Sequence, residues 1–316
     1  MFARGLSPCM ETGGKGAAAD LRPPISTLKI EYYKNFKNKN RRITMIYEKI
    51  SLYADRPHIT LTSYVSETSP ELRNLKKAAV LVLPGGGYYI TSDREAEPVA
   101  KAYFAAGFNA FVLRYSVKEE AVGYAPLLDA AAAIKFIRDN ADRYNIDKDK
   151  IAVCGFSAGG HLAASIGTLW KHKIIAETLG CDNNYIKPNG MILGYAVITA
   201  FNKAHKGSIH KLVNKENPSD EELAAFSLEK QVDADTCPAF IWHTADDAGV
   251  PVENALYMCE ALSAHKIPFE LHVFPYGEHG ISLANCEVAP KDEMIMPYVG
   301  RWFDFTVKWL NEILFK

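Results

Sequence analysis

The chain carries a candidate nucleophile in the G-x-S-x-G sequence Gly155-Phe156-Ser157-Ala158-Gly159. An apolar run typical of a strand precedes this motif, and an Ala-rich run typical of a helix follows it. A serine on such a tight strand-to-helix turn is lifted above the sheet, where its hydroxyl can attack a carbonyl carbon. The next backbone N–H, that of Ala158, then points towards the carbonyl oxygen. The motif by itself only suggests a serine hydrolase, since its few fixed letters also arise by chance.

A second candidate element is the glycine-rich loop Pro84-Gly85-Gly86-Gly87-Tyr88, which follows a continuously apolar predicted strand. Glycines let the main chain approach a developing oxyanion closely, so the N–H groups of Gly86 and Gly87 are candidate oxyanion donors together with that of Ala158. A phosphate-binding loop is a poorer interpretation, because neither G-x-G-x-x-G nor G-K-[ST] is present.

An attacking serine needs a general base, and that base needs a carboxylate to orient it. In a hydrolase with a nucleophile elbow, both partners follow the serine in the order acid, then histidine. His279 lies in a Gly-flanked loop after the last predicted strand, which makes it the best candidate base. Two neighbouring acids, Asp246 and Asp247, follow the strand before it. The residues alone leave the choice between these two aspartates open.

The other histidines are expected to be structural. His161 lies one helical turn after the serine and is expected to pack beneath the site, and His243 lies at a strand end. The remaining six fall in predicted loops, helices or a strand interior: His58, His172, His205, His210, His265 and His272. Neither H-E-x-x-H nor C-x-x-C spacing occurs, so the sequence predicts no metal site, and no cofactor is implied.

Strand-like and helix-like segments alternate along the chain, which predicts an α/β protein with a mostly parallel sheet and helices on both faces. Eight strands are expected: Ile46–Tyr53, Ile59–Val65, Ala78–Leu83, Ala110–Tyr115, Ile151–Cys154, Met191–Ala196, Ala239–Trp242 and Phe269–Phe274. Five main helices are expected: Ser92–Ala106, with a capping box of Ser92 and Glu95, Tyr124–Tyr144, Ala158–Trp170, Val252–His265 and Tyr298–Leu314.

Two segments depart from this alternation. Residues 1–44 carry nine Lys/Arg against three Asp/Glu and lack a periodic apolar pattern, so we interpret them as an upstream or vector-derived leader outside the core. A basic arm that binds an acidic partner is the alternative. The folded domain is then expected at 45–316. Within it, the polar stretch 199–235, with a short helix capped by Ser219 and Glu222, is interpreted as a small cap over a pocket.

Charge and hydropathy exclude several classes of partner. The formal net charge is -1, which gives no electrostatic reason to expect nucleic acid or an anionic membrane surface. No apolar run is long enough to span a bilayer, and no signal-peptide core is visible, so a cytoplasmic protein is expected. The sequence leaves the oligomeric state open.

Taken together, several motifs resemble the bacterial acetylesterase or acetyl xylan esterase group of α/β-hydrolases, which includes bifunctional feruloyl and acetyl xylan esterases. The resemblance extends from about Met45 to the C-terminus and rests on five segments: 84–88, 94–98, 113–116, 155–161 and 243–254. It implies an α/β-hydrolase fold, and it implies that Asp247, the aspartate of Asp-x-x-Val-Pro, is the triad acid. Pro84 is a departure, because many lipases and esterases have a histidine before the glycines.

The sequence therefore predicts a serine carboxylesterase that uses Ser157, His279 and Asp247 on small-molecule ester substrates. Acetyl groups on plant-derived sugars are the expected substrate. A peptidase or an arylformamidase on the same fold is an alternative that shares the triad. A non-catalytic binding protein of this fold is the alternative from another class, and it would be expected to lack one of the three residues.

Overall fold

The structure is a computed structural model that describes residues 45–69, 71–73 and 75–316. The expectation for residues 1–44 lies outside these residues. Within the described ranges, eight strands form one sheet in the order β1-β2-β4-β3-β5-β6-β7-β8. Their bounds are β1 Met45–Ser51, β2 Thr60–Ser66, β3 Lys77–Leu83, β4 Asn109–Arg114, β5 Ile146–Phe156, β6 Gly190–Gly194, β7 Ala239–Thr244 and β8 Phe269–Phe274. No helix in the described part of the chain is both long and apolar enough to cross a bilayer.

Strand direction places the ends of several strands at one edge of the sheet. β1 and β2 are antiparallel to their neighbours, whereas β4, β3, β5, β6, β7 and β8 run parallel to one another. The chain leaves β3, β5, β7 and β8 at the same carboxyl edge, where open α/β sheets bind their ligands. Each of the four segments singled out for chemistry follows one of these strands.

Helices cover both faces of the sheet. The α-helices are α1 Glu97–Ala105, α2 Ala125–Asp139, α3 Ser157–Leu169, α4 Lys173–Leu179, α5 Lys206–Val213, α6 Asp220–Ala224, α7 Glu253–Ala264, α8 Pro297–Gly300 and α9 Trp302–Trp309, followed by a π-helical turn Leu310–Leu314. Short 3-10 turns occupy Asp93–Glu95, Lys118–Glu120, Asn183–Tyr185, Leu228–Lys230 and Asp292–Met294.

β3 illustrates why the central strands are apolar throughout. Leu81 packs into one core layer with residues of α2, α3 and α7, and Val82 packs into the other layer with residues of α1 and α9. Alternate side chains of a strand point to opposite faces, so a strand covered on both faces needs apolar residues at every position. The predicted α/β-hydrolase class, with its mostly parallel sheet, is confirmed.

Two local predictions were wrong. Ser92 makes no capping hydrogen bond, and a 3-10 turn precedes α1 there, because Glu95 turns inward and is buried. The C-terminal helical pattern is divided into α8, α9 and the π-helical turn rather than forming one helix.

The segment between β6 and β7 contains the whole of the stretch 199–235 that the sequence set apart. Its predicted capping box is confirmed, since the side chain of Ser219 accepts from the N–H of Glu222 and Glu222 accepts from the N–H of Ser219. The segment also contains α5, which the sequence did not predict and which begins after the N-cap residue His205.

Candidate active site

Ser157 is the first residue of α3 and follows β5 directly. Its φ of 53° lies in the left-handed region, as a nucleophile on a sharp strand-to-helix turn requires. The turn brings the backbone of α3 against its neighbours, so a Cβ at Gly159 would lie 2.1 Å from the carbonyl oxygen of Leu83. A Cβ at Gly155 would likewise lie 2.0 Å from the carbonyl oxygen of Gly159. Both flanking glycines of the motif are therefore sterically required.

A continuous line of hydrogen bonds joins Ser157, His279 and Asp247. Ser157 Oγ lies 2.8 Å from His279 Nε2, and His279 Nδ1 lies 2.8 Å from Asp247 Oδ2. The ionised carboxylate can only accept, so Nδ1 carries the ring proton and Nε2 is free to accept from the serine hydroxyl. This is the tautomer that a histidine needs in order to take the proton of a serine.

Asp247 is almost completely buried and its carboxylate is fully engaged. Oδ1 accepts from the N–H groups of Gly249 and Val250, each at 2.8 Å. Burial alone would raise the pKa of this carboxyl, but His243, His279 and the Val250 N–H together hold the pKa well below its usual range. Asp247 is therefore ionised at neutral pH and available to orient His279.

His243 supports this acid from the strand side. Its Nε2 lies 2.8 Å from the carbonyl oxygen of Val250 and 3.5 Å from Asp247 Oδ2. Because both neighbours are acceptors, Nε2 is the protonated nitrogen. His243 is thus a completely buried positioning group for the loop of Asp247.

The neighbouring Asp246 has a different role. Its side chain is exposed, and Oδ1 accepts from the N–H of Gly277 at 2.7 Å. Gly277 lies in the loop after β8 that carries His279. Asp246 therefore braces the histidine loop and does not contact the imidazole.

The three residues predicted to supply oxyanion donors lie at the start of α3 and in the glycine-rich loop. Ala158 is the second residue of α3, so its N–H belongs to the first turn, which has no acceptor within the helix. Gly86 and Gly87 line the cavity that contains Ser157 and His279. Gly86 has a φ of 127°, and a Cβ there would lie 2.3 Å from the carbonyl oxygen of Ile90, so only glycine fits this turn.

A buried carboxylate that the sequence assigned to a helix cap instead links the loops of the site. Glu95 Oε2 accepts from the N–H of Gly85 at 2.8 Å, and Glu95 Oε1 accepts from the hydroxyl of Tyr195 at 2.6 Å. The same hydroxyl accepts from the N–H of Ser282 at 3.0 Å. The ring of Tyr195 also stands edge-on to His279, with ring centroids 5.1 Å apart. The glycine-rich loop and the histidine loop are therefore joined through one carboxylate.

His161 packs beneath the site with both ring nitrogens occupied. Nε2 lies 2.9 Å from the carbonyl oxygen of Phe226 and Nδ1 lies 2.8 Å from the hydroxyl of Tyr88. Burial lowers the pKa of His161 to about 4, although the carbonyl of Phe226 acts in the opposite direction. His161 is thus a neutral bridge between the glycine-rich loop and the segment that precedes β7.

A cavity of about 350 Å³ opens over the serine. Besides Gly86, Gly87, Ser157 and His279, its lining includes Ile90, Ser92, Arg94, Glu95, His205 and Gly280. His205 was expected to be structural. Its position at this cavity was not predicted, because it lies far from Ser157 in the sequence and a contact between such distant residues leaves no periodic pattern along the chain. Within the described ranges, no three His, Cys, Asp or Glu side chains come together as a metal site would need.

The family of the chain follows from a comparison with family models. The model of the BD-FAE family matches residues 68–262, which is more than half of the chain. The chain belongs to the BD-FAE family of α/β-hydrolases. The matched range contains the glycine-rich loop, Ser157 and Asp247, whereas His279 follows it.

Similar proteins include enzymes with names connected to xylan. The chain is 41% identical over 222 residues to "Endo-1,4-beta-xylanase B" of Butyrivibrio fibrisolvens, covering 68% of this chain and 34% of that protein. It is 30% identical over 212 residues to "Acetylxylan esterase" of Xylanibacter ruminicola, covering 66% of this chain and 42% of that protein. The chain thus spans well under half the length of these curated relatives.

A solved structure matches over almost its entire length. It is an acetyl ester-xyloside bifunctional hydrolase from Caldicellulosiruptor lactoaceticus, 35% identical, with a TM-score of 0.72 and coverage of 84% of this chain and 96% of that one. Together with the esterase and carboxylesterase names of other matches, this likeness groups the BD-FAE chain with carboxylic ester hydrolases.

Proposed function

We propose that the chain is a serine carboxylesterase that hydrolyses small acyl esters, with acetyl groups on plant-derived carbohydrates as its preferred substrates. The observation that carries this proposal is the unbroken line of hydrogen bonds from Ser157 through His279 to Asp247. Because the ring proton of His279 lies on Nδ1, its Nε2 is free to accept the proton of the serine hydroxyl.

The first half of the reaction forms an acyl-enzyme. Ser157 Oγ attacks the ester carbonyl carbon while His279 Nε2 removes the hydroxyl proton. The carbonyl oxygen gains negative charge, which the N–H of Ala158 and that of Gly86 or Gly87 stabilise by about 3 kcal/mol or more for each donor. His279 then gives its proton to the alcohol oxygen as the C–O bond breaks, and the free alcohol leaves.

The second half repeats these steps with water as the nucleophile. His279 removes a proton from water, the hydroxide attacks the acyl carbon, and the same N–H groups bind the second oxyanion. Ser157 leaves with the proton held by His279, and the carboxylic acid product is released. Asp247 stays ionised throughout, because the imidazolium formed in each half lies against its carboxylate. No cofactor takes part in this mechanism.

The preference for acetylated sugars is supported by two matched enzymes, one named "Acetylxylan esterase" and one described as an acetyl ester-xyloside bifunctional hydrolase. A cavity of about 350 Å³ is compatible with a small acyl group joined to a sugar-sized alcohol. We further propose that residues 199–235 act as a cap that controls which alcohols enter, since His205 of this segment lines the same cavity.

A substrate panel tests this proposal. A series of p-nitrophenyl esters of increasing acyl length is compared with acetylated xylo-oligosaccharides, an aryl formamide and a peptide amide. We expect the highest kcat/KM among acetyl esters and labelling of Ser157 by a fluorophosphonate. Preferred turnover of the formamide or the peptide would overturn the ester assignment, and an enzyme inert towards the fluorophosphonate would overturn the serine mechanism.

A further inference from the structure

His205 combines a structural contact with an unoccupied polar atom. It is the N-cap residue of α5, and its Nδ1 accepts from the backbone N–H of Ser208 at 3.3 Å. The hydroxyl of Ser208 lies 2.8 Å from the same nitrogen. A backbone N–H can only donate, so Nδ1 is unprotonated and the ring proton lies on Nε2. The helix cap thereby fixes the tautomer of His205.

The remaining nitrogen of this ring is available to a ligand. Among the described residues, no hydrogen-bond partner of His205 Nε2 is present, and the half-buried ring lines the cavity over Ser157 and His279. Burial and the nearby ring of His279 lower the pKa of His205, while Asp247 acts in the opposite direction. The imidazole is thus a neutral hydrogen-bond donor that faces the cavity.

The chemistry of an acetyl ester restricts what this donor can bind. The ester carbonyl oxygen is taken by the backbone donors of the oxyanion site, and the acetyl methyl group has no acceptor. An acceptor for His205 must therefore belong to the alcohol part of the substrate. A simple aryl or alkyl alcohol has no second oxygen to offer, whereas a sugar has several hydroxyl groups and a ring oxygen.

We propose that His205 is a specificity-determining residue whose Nε2–H donates a hydrogen bond to a hydroxyl or ring oxygen of a carbohydrate alcohol. This inference rests on the esterase function proposed above and assigns the alcohol subsite to the side of the cavity formed by the N-terminal end of α5. Ser92 and Arg94 line the same cavity and add polar groups to its wall.

The variant His205→Asn separates the two roles of this residue. Asparagine is a favourable N-cap residue, so its Oδ1 keeps the bond to the N–H of Ser208 and α5 stays formed. Its amide nitrogen does not reach as far as Nε2 of the imidazole. The matched control is His210→Gln on the same helix, where the side chain is exposed and does not line the cavity.

The test compares kcat and KM on an acetylated xylo-oligosaccharide and on phenyl acetate, whose alcohol has no second oxygen. We expect His205→Asn to lower kcat/KM on the oligosaccharide about tenfold, the effect of one lost neutral hydrogen bond, and to change kcat/KM on phenyl acetate less than twofold. His210→Gln is expected to match the parent on both. An equal loss on the two substrates, or no loss on the oligosaccharide, would overturn the inference. A parent enzyme inert on both substrates would instead overturn the esterase function on which the inference rests.

Discussion

The carboxylate of Glu95 and the hydroxyl of Tyr195 lie 2.6 Å apart, although 100 residues separate them in the sequence. Through this contact the glycine-rich loop is tied to the loop that carries His279. Gly85 lies at one end of the connection and Ser282 at the other. Arg94 joins the same segments through bonds to Gly280 and Ser282, and the Glu95 carboxylate adds the buried part of this connection.

Glu95→Gln is expected to reduce kcat about ten- to a hundredfold. The glutamine amide has one oxygen acceptor and one nitrogen donor, so its nitrogen must face either the N–H of Gly85 or the hydroxyl of Tyr195. If it faces the N–H of Gly85, two hydrogen-bond donors meet and repel each other. A small displacement of oxyanion donors is costly, since loss of one donor lowers kcat by about 10² to 10³. The measurement is kcat and KM on p-nitrophenyl acetate, together with the free energy of unfolding.

A matched control for that variant is Glu97→Gln, two residues further on. Glu97 forms an ion pair with Arg114 near the surface and does not touch the site. We expect its kcat to equal that of the parent. If Glu95→Gln lost only stability and kept the parent kcat, Glu95 would be a structural residue without a positioning role.

Ser157→Ala is expected to reduce kcat by about 10⁶ if the three residues act as a unit. The alanine variant is expected to keep the buried strand-to-helix turn, so its circular dichroism spectrum and melting temperature should match those of the parent. Initial rates on p-nitrophenyl acetate and the loss of fluorophosphonate labelling measure the effect. An esterase rate within tenfold of the parent would refute the assignment of the nucleophile.

Asp247→Asn and Asp246→Asn form a contrasting pair. An asparagine at 247 favours the wrong imidazole tautomer of His279, so kcat should fall by about 10⁴. An asparagine at 246 can still accept from the N–H of Gly277 through its amide oxygen, and we expect a loss of less than about tenfold. Both are measured at one pH, with folding checked by circular dichroism. A larger loss at 246 than at 247 would contradict the proposed acid.

His161 should make stability depend on pH. An unfolded histidine takes up its proton near pH 6.5, whereas the buried ring does so only at about 4. Between these values the unfolded state binds more protons, so the unfolding free energy falls as pH is lowered, by about 3 kcal/mol from this residue. Urea unfolding of His161→Gln between pH 4 and 7 should show a smaller slope than the parent.

The exposed His210 supplies the control for this measurement. His210→Gln should keep the full pH slope, because an exposed imidazole has no comparable burial. Equal slopes for the parent and His161→Gln would mean that the buried ring of His161 does not contribute to acid sensitivity.

Removal of residues 1–44 is expected to leave kcat and the melting temperature nearly unchanged. The basis is their excess of Lys and Arg and their lack of a periodic apolar pattern. A shortened chain starting at Met45 is compared with the full chain in thermal unfolding and in esterase rates. A decrease of more than a few degrees would show that these residues pack on the core, and the proposed domain start would then be wrong.

The sequence by itself determined the fold class and the segments that carry the site. The apolar run of β3 and the alternation of strands with helices predict the sheet, because burial on two faces restricts residue types along the whole strand. Ser157 and His279 were predicted as site residues for a similar local reason, since a strand-to-helix turn and a loop after a late strand are visible in short stretches of sequence. The choice of Asp247 over Asp246 depended on the resemblance to a family and not on the residues alone.

Only the tertiary structure revealed the contacts of Glu95, Tyr195 and His205. Glu95 has the spacing of a helix-capping residue. The local sequence does not show that, once buried, its carboxylate accepts hydrogen bonds from the N–H of Gly85 and the hydroxyl of Tyr195 instead. His205 is an ordinary polar residue at the start of a short helix until the chain brings it over Ser157. Such contacts join segments that lie far apart in the sequence. Their energies depend on how deeply the groups are buried and how far apart they lie, and the local sequence specifies neither quantity.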